Sequence, residues 1–278
     1  MAFPNEYLYA EDLQKIFNEM YENGKYGKLV MYTEACEAGS MYDKHLTSSM
    51  NSKYDQQTAY LLNSWTSIIF TVYVTTAANA KESSYACYYD SHRDAYLGDV
   101  YSVKWMHDSE VNDLTQETLV EQYEATKKAT TESHVMQYGD LEMGQLKVAD
   151  FQGSGSKANK ISTTHVPPEL DAVPSGDVPL EILKRKLERA DSLSEQVDIR
   201  LQITALEIKR QLLVDTLKRI ALKATGDSLK TESIMSTKMG LPEFSCYRPL
   251  VETFSQRCFN ISQVNGFRTC LHRNRISN

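Results

Sequence analysis

The sequence predicts an α/β protein with a mostly parallel sheet and flanking helices, followed by a separate helical domain. Short apolar runs alternate with helical patterns up to about residue 150, a polar segment rich in Pro and Gly follows, and apolar residues then recur at helical spacing. A chain of 278 residues with 41% hydrophobic and 24% charged residues is long enough for about two soluble domains.

The predicted first domain opens with a helix over residues 10–21. Four apolar side chains recur there at helical spacing: Leu13, Ile16, Phe17 and Met20. Gly24 lies just past the last turn, where a glycine commonly ends a helix.

The strand candidates are Lys28–Thr33, Ile68–Thr75 and Val135–Tyr138, all rich in β-branched or aromatic residues. Tyr101–Met106 and Leu114–Thr126 have helical patterns and lie between the last two strands. Strands that alternate with helices predict a helix-covered sheet with mostly parallel strands.

The uncharged stretch Gln56–Ala80 is long enough to cross a membrane, since about 20 apolar residues span a bilayer. It contains many Ser, Thr and Asn residues, which favour a buried strand instead. The sequence therefore predicts no membrane span.

We divide the chain into residues 1–153, a linker over 154–179 and a helical domain over 180–278. The linker is polar and contains three prolines and two glycines between 154 and 177. Ser192 and Glu195 form a capping-box pattern, and the helical spacing continues to Gly226 through the following residues: Val197, Leu201, Leu206, Leu213, Leu217 and Ile220.

The net charge of -7 argues against a nucleic-acid partner, which requires a concentrated basic surface. The charge is unevenly distributed, with -12 on residues 1–152 and +5 on residues 153–278. The two parts could attract each other, or they could be two differently solvated surfaces.

Cysteine usage hints at an oxidising compartment. Three of the five cysteines, Cys246, Cys258 and Cys270, are evenly spaced near the C-terminus, and the odd total leaves at least one unpaired. Asn260 begins a glycosylation sequon in the same region. Residues 1–10 show neither the basic nor the apolar region of a signal peptide, so we expect either a cytosolic protein or a true start further upstream.

Cys36 is the first candidate for chemistry because the predicted strand Lys28–Thr33 leads directly into the segment 34–40, which places Cys36 at the carboxyl end of the strand. Ligands and reactive groups gather at the carboxyl ends of strands in open α/β sheets. A thiol beside Gly39 and Ser40 can project from such a sheet, where a nearby backbone N–H can stabilise an oxyanion. A lone cysteine is otherwise a small buried hydrophobic residue.

Several segments, in this order, resemble the legumain (asparaginyl endopeptidase) family of cysteine proteases. The resemblance covers most of the chain, and the segments that carry it are YTEACEAGSM (32–41), TTAANA (75–80), ESSYACYYD (82–90), YLGD (96–99), HVMQYG (134–139) and DVPL (177–180). The resemblance implies a caspase-like fold and an enzyme that cleaves peptide bonds after Asn, and after Asp at lower pH. It implies no metal ion and no cofactor.

In this family Cys36 matches the nucleophile of a Cys-His dyad. Glu34, Ser83 and Asp99 match the pocket that holds the substrate's Asn side chain. Carboxylates accept hydrogen bonds from a carboxamide NH₂, and protonated carboxyls can donate to an Asp substrate.

The chain departs from the family in two places. The family's catalytic histidine lies in a His-Gly loop shortly before the segment resembling 2–5, so we expect this chain to begin after its general base. The histidines present do not match that position: His45, His92, His107, His134, His165 and His272. The stretch 42–70 is also longer than in the family. A translated intron and a lineage-specific loop are both open as explanations for the extra length.

The C-terminal part resembles the legumain pro-domain, a death-domain-like helical module that caps the active site at neutral pH. Cys246 and Cys258 match two of the family's four disulfide cysteines there, and Asp171 and Asp177 fall where family members are processed. A basic cap on an acidic body would loosen as carboxylates protonate.

We therefore expect a lysosomal or vacuolar cysteine endopeptidase, inactive as this chain stands, with Asn-containing proteins and peptides as substrates and its own pro-domain as an intramolecular cap. The alternative is a non-catalytic regulator whose helical domain caps an intact legumain in trans. A related transamidase is a third possibility, disfavoured by the ESSY and linker segments.

Overall fold

The computed structural model describes residue 1 and residues 6–46, 72–153, 170–237 and 244–258. These residues form two compact units. The first contains Met1, Tyr7–Tyr88 and Leu97–Ala172, and the second contains Tyr89–Tyr96 and the chain from Val173 onward.

The first unit opens with helix α1, Ala10–Glu22, as the apolar spacing predicts. Leu13 and Phe17 are buried on its inner face, whereas Ile16 is exposed. The helix ends before Gly24, whose φ of 61° is the left-handed conformation that glycine adopts readily.

The first sheet has the strand order β1-β2-β5. Strand β1 is Leu29–Thr33 and the fully buried β2 is Val72–Thr76; the two are parallel, with Leu29 beside Val72 and Thr33 beside Thr76. This confirms two of the predicted strands, although residues 68–71 of the second prediction lie outside the described residues.

Strand β3, Tyr85–Asp90, and strand β4, Ala95–Asp99, were not predicted. The four residues between them are too few for a parallel crossover, so they form a hairpin. The hairpin tip, Tyr89–Tyr96, belongs to the second unit.

Helix α2, Val100–Val111, follows β4 directly, and helix α3 is Leu119–Ala129. The second of these starts later than the predicted Leu114 because Thr118 and Glu121 form a reciprocal capping box at its N-terminus. The two helices pack against each other.

Strand β5, Met136–Gly139, pairs antiparallel with β2. Over the described strands the expected mostly parallel sheet is therefore mixed, because a sheet with parallel strands can also carry an antiparallel strand at its edge. Gly139 has a φ of 84°, and any Cβ there would collide with the carbonyl oxygen of Val72. The short helix α4, Ala149–Gln152, lies further along the same unit.

The core of the first unit lies between this sheet and its helices. The described residues contribute two clusters of buried side chains to it, one formed by Tyr73, Leu119, Met143 and Val148, the other by Ala77, Tyr101, Tyr123 and Val135.

Over its described residues, the second unit continues with β6, Val173–Pro174, a 3-10 turn at Ser175–Asp177, and four helices. These helices are α5 (Val178–Arg189), α6 (Leu193–Thr225), α7 (Ser228–Ser236) and α8 (Phe244–Arg257). Helix α6 packs against α5 and α7. Ser192 caps α6 and Gly226 ends it, as the sequence predicts.

Helix α5 contacts the hairpin tip inside the second unit. Asp94 accepts a hydrogen bond from Arg189 at 2.6 Å and forms an ion pair with Lys186 at 3.1 Å. Together with the Tyr89 hydroxyl, these cations lower the pKa of Asp94 to about 2.

Candidate active site

Cys36 lies in a tight turn immediately after β1. Glu37, the next residue, has a φ of 48° in the left-handed region, which is rare for a side chain of this size. A 3-10 turn, Ala38–Met41, follows. The sharp reversal places the sulfur at the carboxyl end of the strand, half-buried.

The thiol of Cys36 contacts two serine hydroxyls. Its Sγ lies 3.2 Å from the Oγ of Ser83 and 3.6 Å from the Oγ of Ser84. The Ser83 hydroxyl donates its single proton to the carbonyl oxygen of Ser84 at 2.8 Å, so it can only accept a hydrogen bond from the thiol. The Ser83 hydroxyl must therefore rotate before it can donate a hydrogen bond to the sulfur.

Glu34 lies two residues before the nucleophile candidate and is anchored to helix α2. Its Oε2 accepts hydrogen bonds from the backbone N–H and the hydroxyl of Ser102, at 3.1 and 2.9 Å. Burial raises the pKa of Glu34 to about 7, and the charge of Asp99 adds to this rise, while the Ser102 hydrogen bonds oppose it.

Asp99 is the last residue of β4 and the N-cap residue of α2, yet its side chain makes no capping hydrogen bond. Burial raises the pKa of this carboxyl. Glu34 supplies a carboxylate at the helix N-terminus instead, where unpaired N–H groups favour negative charge. The unit therefore brings together three of the predicted site residues, Glu34, Cys36 and Ser83, and places the charge of Asp99 close enough to act on Glu34.

The predicted processing residues are both engaged by neighbours within their own units. In the first unit, Asp171 accepts the backbone N–H of Tyr88 at 2.7 Å. In the second, Asp177 accepts from the guanidinium of Arg210 at 2.9 Å, and Arg210 also donates to the carbonyl oxygen of Gly176.

Three neighbours of the site escape sequence reasoning. Ser84 and Glu82 lie in the segment ESSYACYYD (82–90), where the resemblance assigns them no role, and Ser102 lies outside all of the matching segments. An indication existed for Ser102, since a serine in the first turn of a helix can bind an adjacent carboxylate. Its partner lies 68 positions earlier in the chain, and that distance conceals the pairing.

Other predictions have plainer outcomes. Cys246 and Cys258 are exposed, free thiols, and Cys270 lies outside the described residues, as do His165 and His272. The described residues contain no group of three or more His, Cys, Asp or Glu side chains suited to a metal ion. Within the same residues, no helix has the length and apolar character needed to cross a bilayer.

Comparison with known proteins gives consistent relatives. Over 262 residues the chain is 42% identical to legumain of Pongo abelii, covering 94% of this chain and 55% of that protein. It is 33% identical over 285 residues to hemoglobinase of Schistosoma japonicum, covering 98% and 60% respectively. Vacuolar-processing enzyme of Phaseolus vulgaris is 29% identical over 290 residues, with 95% and 54% covered.

The chain thus spans about half the length of the curated relatives it matches. The sequence profile of the Peptidase C13 family matches residues 1–56 and 63–154, a range that contains Cys36 and its serine and carboxylate neighbours. Because this match extends over more than half of the chain, the protein belongs to the Peptidase C13 family of cysteine peptidases.

Proposed function

We propose that the chain is part of a legumain-type cysteine endopeptidase with Cys36 as its nucleophile, cutting peptide bonds after Asn and, at lower pH, after Asp. The supporting observation is the arrangement at the end of β1, where a half-buried thiol contacts Ser83 at 3.2 Å and lies two residues from Glu34. Membership of the Peptidase C13 family supports the same chemistry.

In this proposal Glu34, Ser83 and Asp99 hold the substrate side chain. A carboxylate accepts hydrogen bonds from the NH₂ group of an Asn side chain. The pKa of Glu34 is raised to about 7 by burial, so Glu34 is protonated in an acidic compartment and can donate to an Asp side chain. This change of role explains why Asp becomes a substrate as the pH falls.

Thiol attack needs a base that takes the Sγ proton and later protonates the leaving amine. Among the described residues, the hydrogen-bonding partners of the Cys36 sulfur are Ser83 and Ser84, and no histidine ring contacts it. The 278 residues alone are therefore expected to turn over substrate poorly, with the thiol still able to react with an electrophile.

The relatives named legumain and vacuolar-processing enzyme support a lysosomal or vacuolar location. We also infer a caspase-like peptidase fold, and a death-domain-like pro-domain at 180–278 that caps the site and is released by cleavage after Asp171 or Asp177. The positive balance of residues 153–278 against the negative balance of 1–152 supports such a cap.

A peptide electrophile tests the specificity. An Asn-containing peptidyl chloromethyl ketone should alkylate Cys36 faster than the same peptide with Ala in place of Asn, and Cys36→Ala should abolish the adduct seen by mass spectrometry. Equal rates for the two peptides would refute the Asn pocket. Robust Cys36-dependent cleavage of an Asn fluorogenic peptide at about pH 5 would instead refute the expected inactivity.

A second candidate function is a regulator that caps an intact legumain in trans. The observation that favours it is the net charge of +5 on residues 153–278, a basic module that could bind an acidic surface of another molecule. Titrating the full chain, carrying Cys36→Ala, against an active legumain at neutral pH tests this function. Failure to inhibit would refute it.

A further inference from the structure

The side chain of Glu82 joins two segments that are far apart in sequence. Its Oε1 accepts the backbone N–H of Asn79 at 3.0 Å and that of His134 at 2.8 Å, and its Oε2 lies 2.8 Å from the Nδ1 of His134. Although burial opposes the change, these hydrogen bonds lower the pKa of Glu82. The carboxylate therefore stays ionised and ties the loop after β2 to the residues before β5.

The main chain of the same residue reaches the nucleophile turn. The carbonyl oxygen of Glu82 accepts the backbone N–H of Glu37 at 2.7 Å. Glu37 follows Cys36 directly and is buried in the left-handed conformation, which persists only where surrounding contacts fix it. The neighbouring Ser83 contacts the Cys36 sulfur.

Two further contacts hold this loop at the same place. The backbone N–H of Gly39 donates to the carbonyl oxygen of Ala78 at 3.1 Å, and the Ser133 hydroxyl donates to the carbonyl oxygen of Ala77 at 2.6 Å. The loop is therefore bound on one side to the nucleophile turn and on the other to the segment before β5. The contacts of Ala77, Ala78 and the Glu82 carbonyl involve neutral backbone and hydroxyl groups, whereas the Glu82 side chain holds the loop through a carboxylate.

We propose that Glu82 is a positioning residue for the Cys36 nucleophile: its carboxylate fixes the loop whose backbone holds the strained turn and whose serine touches the sulfur. This inference rests on the proposed function of Cys36. In this role Glu82 acts on the direction of the thiol through its contacts with the loop and the nucleophile turn. Loss of its hydrogen-bonding side-chain oxygens should therefore impair attack on a bound, oriented electrophile more than attack on a small diffusing one.

The test compares two alkylating reagents on the full chain. For each variant, the rate constant of Cys36 with the Asn-containing peptidyl chloromethyl ketone is divided by that with iodoacetamide, and both adducts are quantified by peptide mapping. The ratio cancels changes in intrinsic thiol reactivity. We expect Glu82→Ala to lower the ratio about tenfold, in line with the sensitivity of attack to small misplacements.

Two variants calibrate that result. Glu82→Gln retains a carbonyl oxygen that can accept the Asn79 and His134 N–H groups, so it should stay within about threefold of wild type. Glu132→Ala removes a nearby carboxylate whose hydrogen bond goes to the adjacent Thr131, and it should leave the ratio unchanged.

The buried Cys87 reports on folding, because burial raises its pKa to about 12 and the native fold covers it. A reaction of Cys87 in Glu82→Ala would mean that this variant has lost its native fold, and the ratio of rate constants is then measured in Glu82→Asp. The shorter Asp carboxylate cannot reach both segments, so a wild-type ratio in Glu82→Asp overturns the proposal. A wild-type ratio in folded Glu82→Ala overturns it as well. Failure of the proposed function is distinguishable, since the wild-type chain would then react equally with the Asn and Ala peptides.

Discussion

Ser102 donates both its backbone N–H and its hydroxyl proton to one carboxylate oxygen of Glu34, at 3.1 and 2.9 Å. These bonds link the substrate-pocket candidate to the first turn of α2. They also favour the ionised form of the Glu34 carboxyl and so oppose the rise in its pKa. Burial and the charge of Asp99 outweigh them and raise this pKa to about 7.

Ser102→Ala should therefore raise the pKa of Glu34 above about 7, because the hydroxyl donor is lost while burial remains. A pH titration of the Glu34 carboxyl signal by NMR measures the change, and Glu34→Gln identifies the signal. Ser109→Ala, which removes a hydroxyl from the C-terminal part of the same helix, should have no effect on Glu34. An unchanged pKa in Ser102→Ala would show that the hydroxyl does not tune this group.

The raised pKa of Glu34 predicts how stability depends on pH. The Glu34 carboxyl has a pKa of about 7 in the folded state and its ordinary value of 4.5 in the unfolded state, so the folded state binds the proton more tightly. The resulting stabilisation of the fold is fully present below pH 4.5 and is lost as the pH rises through 7. Glu34→Gln should reduce the loss of unfolding free energy between about pH 5 and 8, measured by urea denaturation, because a neutral amide has no proton to lose.

Glu117 should contribute part of the same loss. Burial and the nearby charge of Asp108 raise its pKa to about 7, and Asn112 donates from its Nδ2 to both carboxylates. The double variant Glu34→Gln, Glu117→Gln should thus have a flatter stability profile than either single variant. An identical slope in wild type and the double variant would contradict both assignments.

The sequence predicted the elements whose pattern is local. Helix α1 and strands β1, β2 and β5 carry their own apolar spacing, and Ser192 and Gly226 mark the ends of α6 with residues that favour those ends. The hairpin of β3 and β4 was missed. Tyr88 adopts a left-handed conformation within it, which is unusual for an aromatic residue and which no local preference indicates.

The site was predicted in part for the same reason. A strand followed at once by Cys36 was visible in the sequence, and the family resemblance supplied Glu34, Ser83 and Asp99. The contacts that hold them, from Ser102 to Glu34 and from Glu37 to Glu82, join residues separated by tens of positions. Such pairs are set by the packing of the elements, so sequence spacing could not reveal them.

Gly39→Ala should disturb the nucleophile turn. A Cβ at this position would lie 2.8 Å from the backbone nitrogen of Ala80 and would also collide with the Tyr138 hydroxyl. Overpacking of this kind costs about 1–3 kcal/mol, measurable by urea denaturation. Gly27→Ala is the matched control, since a Cβ there meets nothing within 4 Å. Equal stability of the two variants would show that the turn moves aside freely.

Arg210 should protect the predicted processing site at Asp177. The Arg210 side chain is buried, and its guanidinium binds both the Asp177 carboxylate and the carbonyl oxygen of Gly176, in a 3-10 turn that leads directly into α5. A protease that binds this segment in extended form and reads the Asp side chain must first break these bonds. Hydrogen bonds between charged groups contribute about 1.5–3 kcal/mol, so their loss should raise cleavage about tenfold or more.

Arg210→Met therefore should accelerate cleavage after Asp177 when the full chain is incubated with a catalytic amount of active legumain at about pH 5, with fragments mapped by mass spectrometry. Cleavage after Asp171 in the same sample is the internal reference, because its hydrogen bond to Tyr88 is untouched. Arg189→Met, which removes the ion pair with Asp94, controls for the loss of a cation from the second unit. An unchanged ratio of the two cleavages in Arg210→Met would show that this ion pair does not guard the site, and a uniform rise at both aspartates would point to general loosening of the chain.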